Sequence, residues 1–298
     1  MPFVYLTTTK IESQDGRISR ELRSQTLVVA KDAHTGFVQS RGGTYIVTGG
    51  FGSLGQEVTS GIMQSGGDVI CIDSVDIPPT EEWEKLQLLA NTCSANLWCY
   101  KCDITNIDTT RALFREAVTA ARFPLRGLVT CAGISSIGQS IDFSIDEMRR
   151  IIDVNLTGTF TCAQSAAREI FEQGFPASMV FIASMSGHVV NKGLDTAAYS
   201  SSKAGVHQLT RNLASEWGSP KGGPVIRVNS LSPGYIRTRM TEDLLKDRMQ
   251  QRLMSEGSML NRIFETDEYR GPIVFLLSGA SSYVTGADLL MDGGHTGW

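Results

Sequence analysis

Tyr199 and Lys203 are four residues apart in Tyr199-Ser200-Ser201-Ser202-Lys203. On a helix that spacing puts both side chains on one face. A free phenol titrates at about 10. An ammonium beside it favours the phenolate and brings the tyrosine toward the working range of a general acid/base. Ser184 ends an upstream β-branched run, where a hydroxyl can hydrogen-bond a substrate oxygen. Asn155 falls inside a long helical stretch, in Asp153-Val154-Asn155-Leu156. Asparagine is a poor helix former, so its presence there asks for a reason, such as holding a water. Singly, each has an ordinary explanation: a surface Tyr–Lys pair, a strand-end serine, a capping or exposed asparagine. Together, in this order, they make a proton-transfer set.

Such a set needs a scaffold. From Thr44 onward, short β-branched runs alternate with segments of helical period. Strands are predicted at Tyr45–Thr48, Val69–Asp73, Leu97–Cys102, Gly127–Cys131, Met179–Ser184, Ile226–Leu231 and Leu289–Asp292. Helices are predicted at 53–65, 81–91, 107–121, 145–173, 196–217 and 266–278. The alternation implies βαβ units and a parallel sheet covered on both faces, a single doubly wound α/β domain over residues 42–298. Residues 1–41 are polar and turn-rich and read as an extension, partly disordered or draped on the domain. Tyr235–Asn261 adds helix-like sequence past a strand's carboxyl end, where such folds place ligands, and is expected to act as a substrate lid.

Thr48-Gly49-Gly50-Phe51-Gly52-Ser53-Leu54-Gly55 follows the first strand and opens the first helix. Glycines there let backbone N–H groups approach a pyrophosphate at a helix N-terminus. Asp73 ends the second strand, where a carboxylate can accept from the adenosine ribose hydroxyls and would repel a 2′-phosphate. No lysine or arginine occurs among residues 50–54 or 74–77 to offset that charge. NAD(H) is therefore the expected cofactor, with NADP(H) as the alternative.

The chain has 298 residues, 41% hydrophobic and 19% charged, which supplies a sizeable core. Its net charge of −4 argues against a nucleic-acid partner, and no apolar run approaches the ~18 residues of a membrane span. Six cysteines do not make a disulfide scaffold. Cys99 and Cys102 form a lone CxxC and there are four histidines with no HxxxH pair, so buried structural thiols are expected and no metal. The N-terminus has no signal-peptide core and no acid-poor bias, and the cytoplasm is the expected location.

Residues 42–298 resemble the short-chain dehydrogenases/reductases. The match is carried by Thr48-Gly49 through Gly55, Cys102-Asp103, Cys131-Ala132-Gly133, Asn155, Ser184, Tyr199-x-x-x-Lys203, Arg227-Val228-Asn229, Pro233-Gly234 with Ile236 and Thr238, and Met291-Asp292-Gly293-Gly294. Ser184-Met185-Ser186-Gly187-His188, the 15-residue step to Tyr199, and Ser232-Pro233-Gly234-Tyr235 are similar to the fungal polyol dehydrogenase and sorbose reductase group. The resemblance implies Tyr199 as general acid/base, Lys203 on the nicotinamide ribose, Ser184 polarising the carbonyl and Asn155 holding a relay water. It implies a cofactor lying along Gly49, Ser53, Leu54 and Gly55, then Asp73, then Asp103 with Ile104 at the adenine. Ala132, Gly133, Pro233 and Gly234 would follow, with Ile236 and Thr238 at the carboxamide. It also implies a homotetramer paired through the two long helices. Two residues depart from the family pattern: Ser53 replaces the usual middle glycine, and Cys131 the usual asparagine.

The implied reaction interconverts a secondary alcohol and a ketone by hydride transfer. The pocket walls are expected from Ser135–Gln139, Ser186–Leu194 and the lid. His188 and Asn191 would suit a polyol or ketose; Met240, Met249 and Met254 would suit a cyclic secondary-metabolite ketone. A non-catalytic dinucleotide-sensing regulator is the alternative from another class, and the intact Asn155, Ser184, Tyr199 and Lys203 set speaks against it.

Overall fold

The structure, a computed structural model, describes residues 42–75 and 80–298. The extension expected over 1–41 lies outside the described residues. Seven parallel strands form one sheet: β1 Thr44–Thr48, β2 Asp68–Asp73, β3 Leu97–Lys101, β4 Leu125–Thr130, β5 Ala177–Ile182, β6 Ile226–Pro233 and β7 Asp288–Met291, in the order β3-β2-β1-β4-β5-β6-β7. The order reverses between β1 and β4, which opens a crevice at the strands' carboxyl ends. Helices α1 Ser53–Gln64, α2 Thr80–Cys93, α3 Ile107–Ala120, α4 Ile145–Ile152, α5 Thr159–Gln173, α6 Ala197–Trp217, α7 Glu242–Lys246, α8 Arg248–Glu256 and α9 Arg270–Leu277 cover it.

Alternate residues of each strand enter opposite cores. Ile46, Ile70, Leu128 and Phe181 meet α3, α5 and α6 on one face. Val47, Cys71, Val129 and Val180 meet α1, α2 and α9 on the other. This is why the strands read as near-continuous apolar runs. Arg227 donates to the Leu276, Ser278 and Val284 carbonyls at 3.0–3.2 Å, and Asn229 pairs with Val284 and Ala287, so this motif fastens α9 and the turn before β7.

The helix predicted over 145–173 differs from the structure. It is interrupted by a π-helical turn at Asp153–Gly158, between α4 and α5. The helical period runs through the turn unchanged, so the sequence reads as continuous. The wider turn re-aims Asn155 inward, as π-bulges do at functional sites. The 266–278 segment opens with a 3₁₀ turn, Thr266–Tyr269, before α9.

Candidate active site

Tyr199 and Lys203 occupy the first two turns of α6. Lys203 is 5% exposed, and its Nζ donates to the Ile182 carbonyl at 2.7 Å. Burial pushes its pKa down to about 8. Nζ lies 5.6 Å from the centre of the Tyr199 ring. Burial raises the Tyr199 phenol, and hydrogen bonding with Ser184 opposes it, rather than the Lys203 charge expected from the spacing. The ammonium is anchored on a strand-end carbonyl rather than turned onto the phenol oxygen.

Ser184 follows β5 and caps the short turn Met185–Gly187, accepting from the Ser186 N–H at 3.1 Å. Its hydroxyl donates to Ser186 Oγ at 3.1 Å. Ser186 and Asn191 exchange hydrogen bonds at 2.8 and 3.2 Å, and Asn191 continues to Thr196 at 3.1 Å. Asn155 is 1% exposed. Its Oδ1 accepts from the Ile134 N–H at 2.9 Å, and its Nδ2 donates to the Ile134 carbonyl and to Ser202 Oγ, both at 3.0 Å. The side chain thus ties the π turn to the loop after β4 and to α6. Both amide hydrogens are used, so it works as a brace behind the cavity.

A groove of about 530 Å³ crosses the carboxyl ends of β1 to β4, lined by Gly49, Asp73, Asp103, Ile104, Ala132 and Gly133 among others. It continues into a cavity of about 280 Å³ bounded by Ser53, Leu54, Gly55, Tyr199, Lys203, Pro233, Ile236 and Thr238. Gly49 has φ +65°, and a Cβ there would lie 2.6 Å from the Ala132 nitrogen. A Cβ on Gly55 would strike the Gly49 carbonyl, so the chain crossing requires glycine at both positions. Ser53 is the first residue of α1 in ordinary helical geometry, with Gly52 as N-cap. No side chain caps α1 and no acidic residue stands in its first turn, which leaves its N–H groups and positive dipole end facing the groove. Asp73 Oδ2 accepts from the Phe51 N–H at 3.0 Å. The elongated shape, the bare helix N-terminus, a carboxylate at one end and Tyr199–Lys203 at the other fit a dinucleotide.

Gly234, expected along the cofactor, lines the adjoining substrate cavity, which shares Pro233, Ile236 and Thr238 with the cofactor side; a Cβ there would lie 2.7 Å from Asp292 Cα. That cavity, about 350 Å³, has Ser184 and Tyr199 at its base and Ser135, Asn191, Leu194 and Met240 on its sides. His188 is not part of it: its Nε2 turns away to Asp288, 2.8 Å off. Arg239, expected on the lid over the substrate, lines both halves of the cofactor groove and donates to Glu82 Oε1 at 2.5 Å.

A family model described as enoyl-(acyl carrier protein) reductase matches residues 49–296. The short chain dehydrogenase/reductase notP′ of Aspergillus versicolor is 46% identical over 255 residues, covering 86% of this chain and 87% of that protein. The NADH-dependent L-xylulose reductase of Ambrosiozyma monospora is 35% identical, covering 85% and 94%. A crystal structure of a protein from Beutenbergia cavernae described as a putative NAD(P) dependent gluconate 5-dehydrogenase, with NADP bound at low occupancy, superposes at a TM-score of 0.78 with 28% identity, covering 88% of this chain and all of the other. The residues on the groove and the extent of these matches agree, and the chain belongs to the short-chain dehydrogenase/reductase family of NAD(P)-dependent oxidoreductases.

Proposed function

We propose that this chain interconverts a secondary alcohol and a ketone, and that its preferred substrate is a compact, largely apolar cyclic ketone. One observation carries the substrate class. The polar side chains of the Ser184–Thr196 wall are spent on one another, Ser186 with Asn191 and Asn191 with Thr196. The cavity offers Ile137, Leu194, Ile236, Met240 and Leu244 for contact, with Ser135, Ser136, Tyr235, Thr238, Thr241 and Asp243 as its other polar lining besides the two hydroxyls at its base.

When bound, NAD(P)(H) supplies the hydride. Ser184 and Tyr199 address the substrate oxygen. Tyr199 gives up its proton as a ketone is reduced and takes it back as an alcohol is oxidised. Lys203 holds the cofactor ribose, and Asn155 fixes the loop after β4 and α6 relative to each other. Asp73 selects NAD(H) by repelling a 2′-phosphate. The 235–261 segment closes over the cavity and excludes water. The active form is a homotetramer paired through α4, α5 and α6, whose outer faces leave Ile145, Met148 and Phe160 exposed; a monomer in light scattering at micromolar concentration rejects that assembly.

A polyol or ketose is the second reading, favoured by the similarity to the L-xylulose reductase. Steady-state rates with sorbitol, arabinitol and ketoses against a panel of alicyclic ketones decide between them. Higher kcat/KM on the alicyclic ketones supports the first reading; efficient polyol turnover overturns it.

A further inference from the structure

His188, His207 and Asp288 are far apart in sequence and meet beside the active site. Their ligand atoms all lie within 4.8 Å of one another. The two imidazole rings stack at 4.0 Å, and both Nε2 edges face one carboxylate. His188 Nε2 is 2.8 Å from Asp288 Oδ2, and His207 Nε2 is 3.7 Å from Oδ1. His207 is buried, at 4% exposure, whereas 33% of the His188 side chain is open to solvent.

We propose that these three residues form a structural site for a divalent cation of the zinc type. Two imidazole nitrogens and a carboxylate oxygen are a standard donor set for zinc, with bonds of about 2.0–2.2 Å. Tetrahedral ligands on such bonds stand about 3.3 Å apart. The three ligand atoms lie within 4.8 Å of one another, so side-chain shifts of about an ångström or more and a splaying of the stacked rings bring them to that spacing around an ion. The supporting shell is present. Ser230 and Ser232 donate to Asp288 Oδ1 at 2.6 and 2.8 Å and orient the carboxylate. Ser232 also lies 2.8 Å from His207 Nε2, the contact that ion binding replaces. The open side of His188 provides an entry path and a position for water.

The placement gives the site its function. His207 lies two turns beyond Tyr199 and one beyond Lys203 on α6. It is about 12 Å along the axis from Tyr199, too far for an ion there to touch substrate. His188 ends the short turn that begins at Ser184. An ion would fasten the Ser184 turn, α6 and the start of β7 to one another, stiffening the base of the substrate cavity.

The test uses the full chain, stripped with a chelator and dialysed, then titrated with zinc chloride by calorimetry. One ion per chain and a rise in the unfolding temperature are expected. Cobalt in its place should give visible d–d absorption. Ser232→Ala should weaken binding roughly 10–100-fold, the usual range for a supporting residue, and His188→Ala should weaken it more. His188→Ala is the deciding variant, because its partly exposed side chain can be removed without opening the core; circular dichroism checks its fold. Absence of saturable binding by the wild type, or unchanged affinity in His188→Ala with the ion on cysteines instead, overturns the proposal.

Discussion

The base of the substrate cavity and the segment that covers it are built differently. At the base, Asn155, Ser184 and Lys203 are 1%, 6% and 5% exposed, and each is held by hydrogen bonds to backbone or to a neighbouring hydroxyl. Over the cavity, α7 contains no buried residue, and Met240 and Met249 are 52% and 72% exposed. One region fixes atoms to the tolerance that proton transfer needs. The other is loosely packed, which is what a segment must be if it is to open and close. In the proposed reaction, chemistry and specificity fall to parts of different burial.

The contrast breaks most sharply at Tyr199. Tyr199→Phe keeps the ring and its packing and removes the proton. It should lower kcat by ~10²–10⁴-fold with cofactor affinity nearly unchanged; retention of near-wild-type turnover would mean that another group handles the proton.

Asn155→Ala tests whether the base is rigid because it is braced. The change strands the Ile134 N–H and carbonyl and removes the donor to Ser202 Oγ, which keeps its own bond to the Tyr199 carbonyl. A loss of about 1–3 kcal/mol in urea unfolding is expected, with a fall in kcat larger than any rise in KM.

The cofactor end is sharpened by Asp73→Ser. Removing the carboxylate beside the Phe51 N–H should shrink the NAD(H) over NADP(H) ratio in kcat/KM by about tenfold. The wild type favouring NADP(H) would transfer control to Arg239, which shares that groove.

Lys203 gives a pH signature. Its pKa is depressed to about 8, so the ammonium is present below that value and lost above it. Binding of reduced cofactor, followed by its fluorescence, should weaken several-fold as pH rises through about 8, and Lys203→Met should bind weakly at every pH.

The smallest effect belongs to the cover. Met240→Ala, at a half-exposed position, should change stability by no more than about 0.5 kcal/mol while altering KM across a ketone series. A large stability loss would show that the segment is part of the core.

Much of this was legible from residue order. The glycines at 49 and 55 announce a backbone crossing because no side chain fits there. The Tyr199–Lys203 spacing announces a shared face because the helical repeat requires it. Strand alternation gave the doubly wound sheet because parallel strands covered on both faces must be apolar throughout. The π turn was not legible, since the buried positions Ile151, Asn155, Gly158, Cys162 and Ala166 keep helix-like steps of three or four residues across it. His188 and Arg239 stand elsewhere than expected for another reason: each is positioned by a partner from a distant segment, Asp288 and Glu82.

By itself the sequence determined the fold class, the glycine-rich turn of the groove and the shared helix face of Tyr199 and Lys203, because these depend on local repeats and on residue types at fixed spacing. Tertiary structure decided what those residues face. It placed Lys203 on the Ile182 carbonyl, turned the polar wall of the substrate cavity onto itself and gathered His188, His207 and Asp288 around one point. Hydrogen-bond satisfaction and burial are properties of a packed neighbourhood, and that neighbourhood exists only once distant segments of the chain have met.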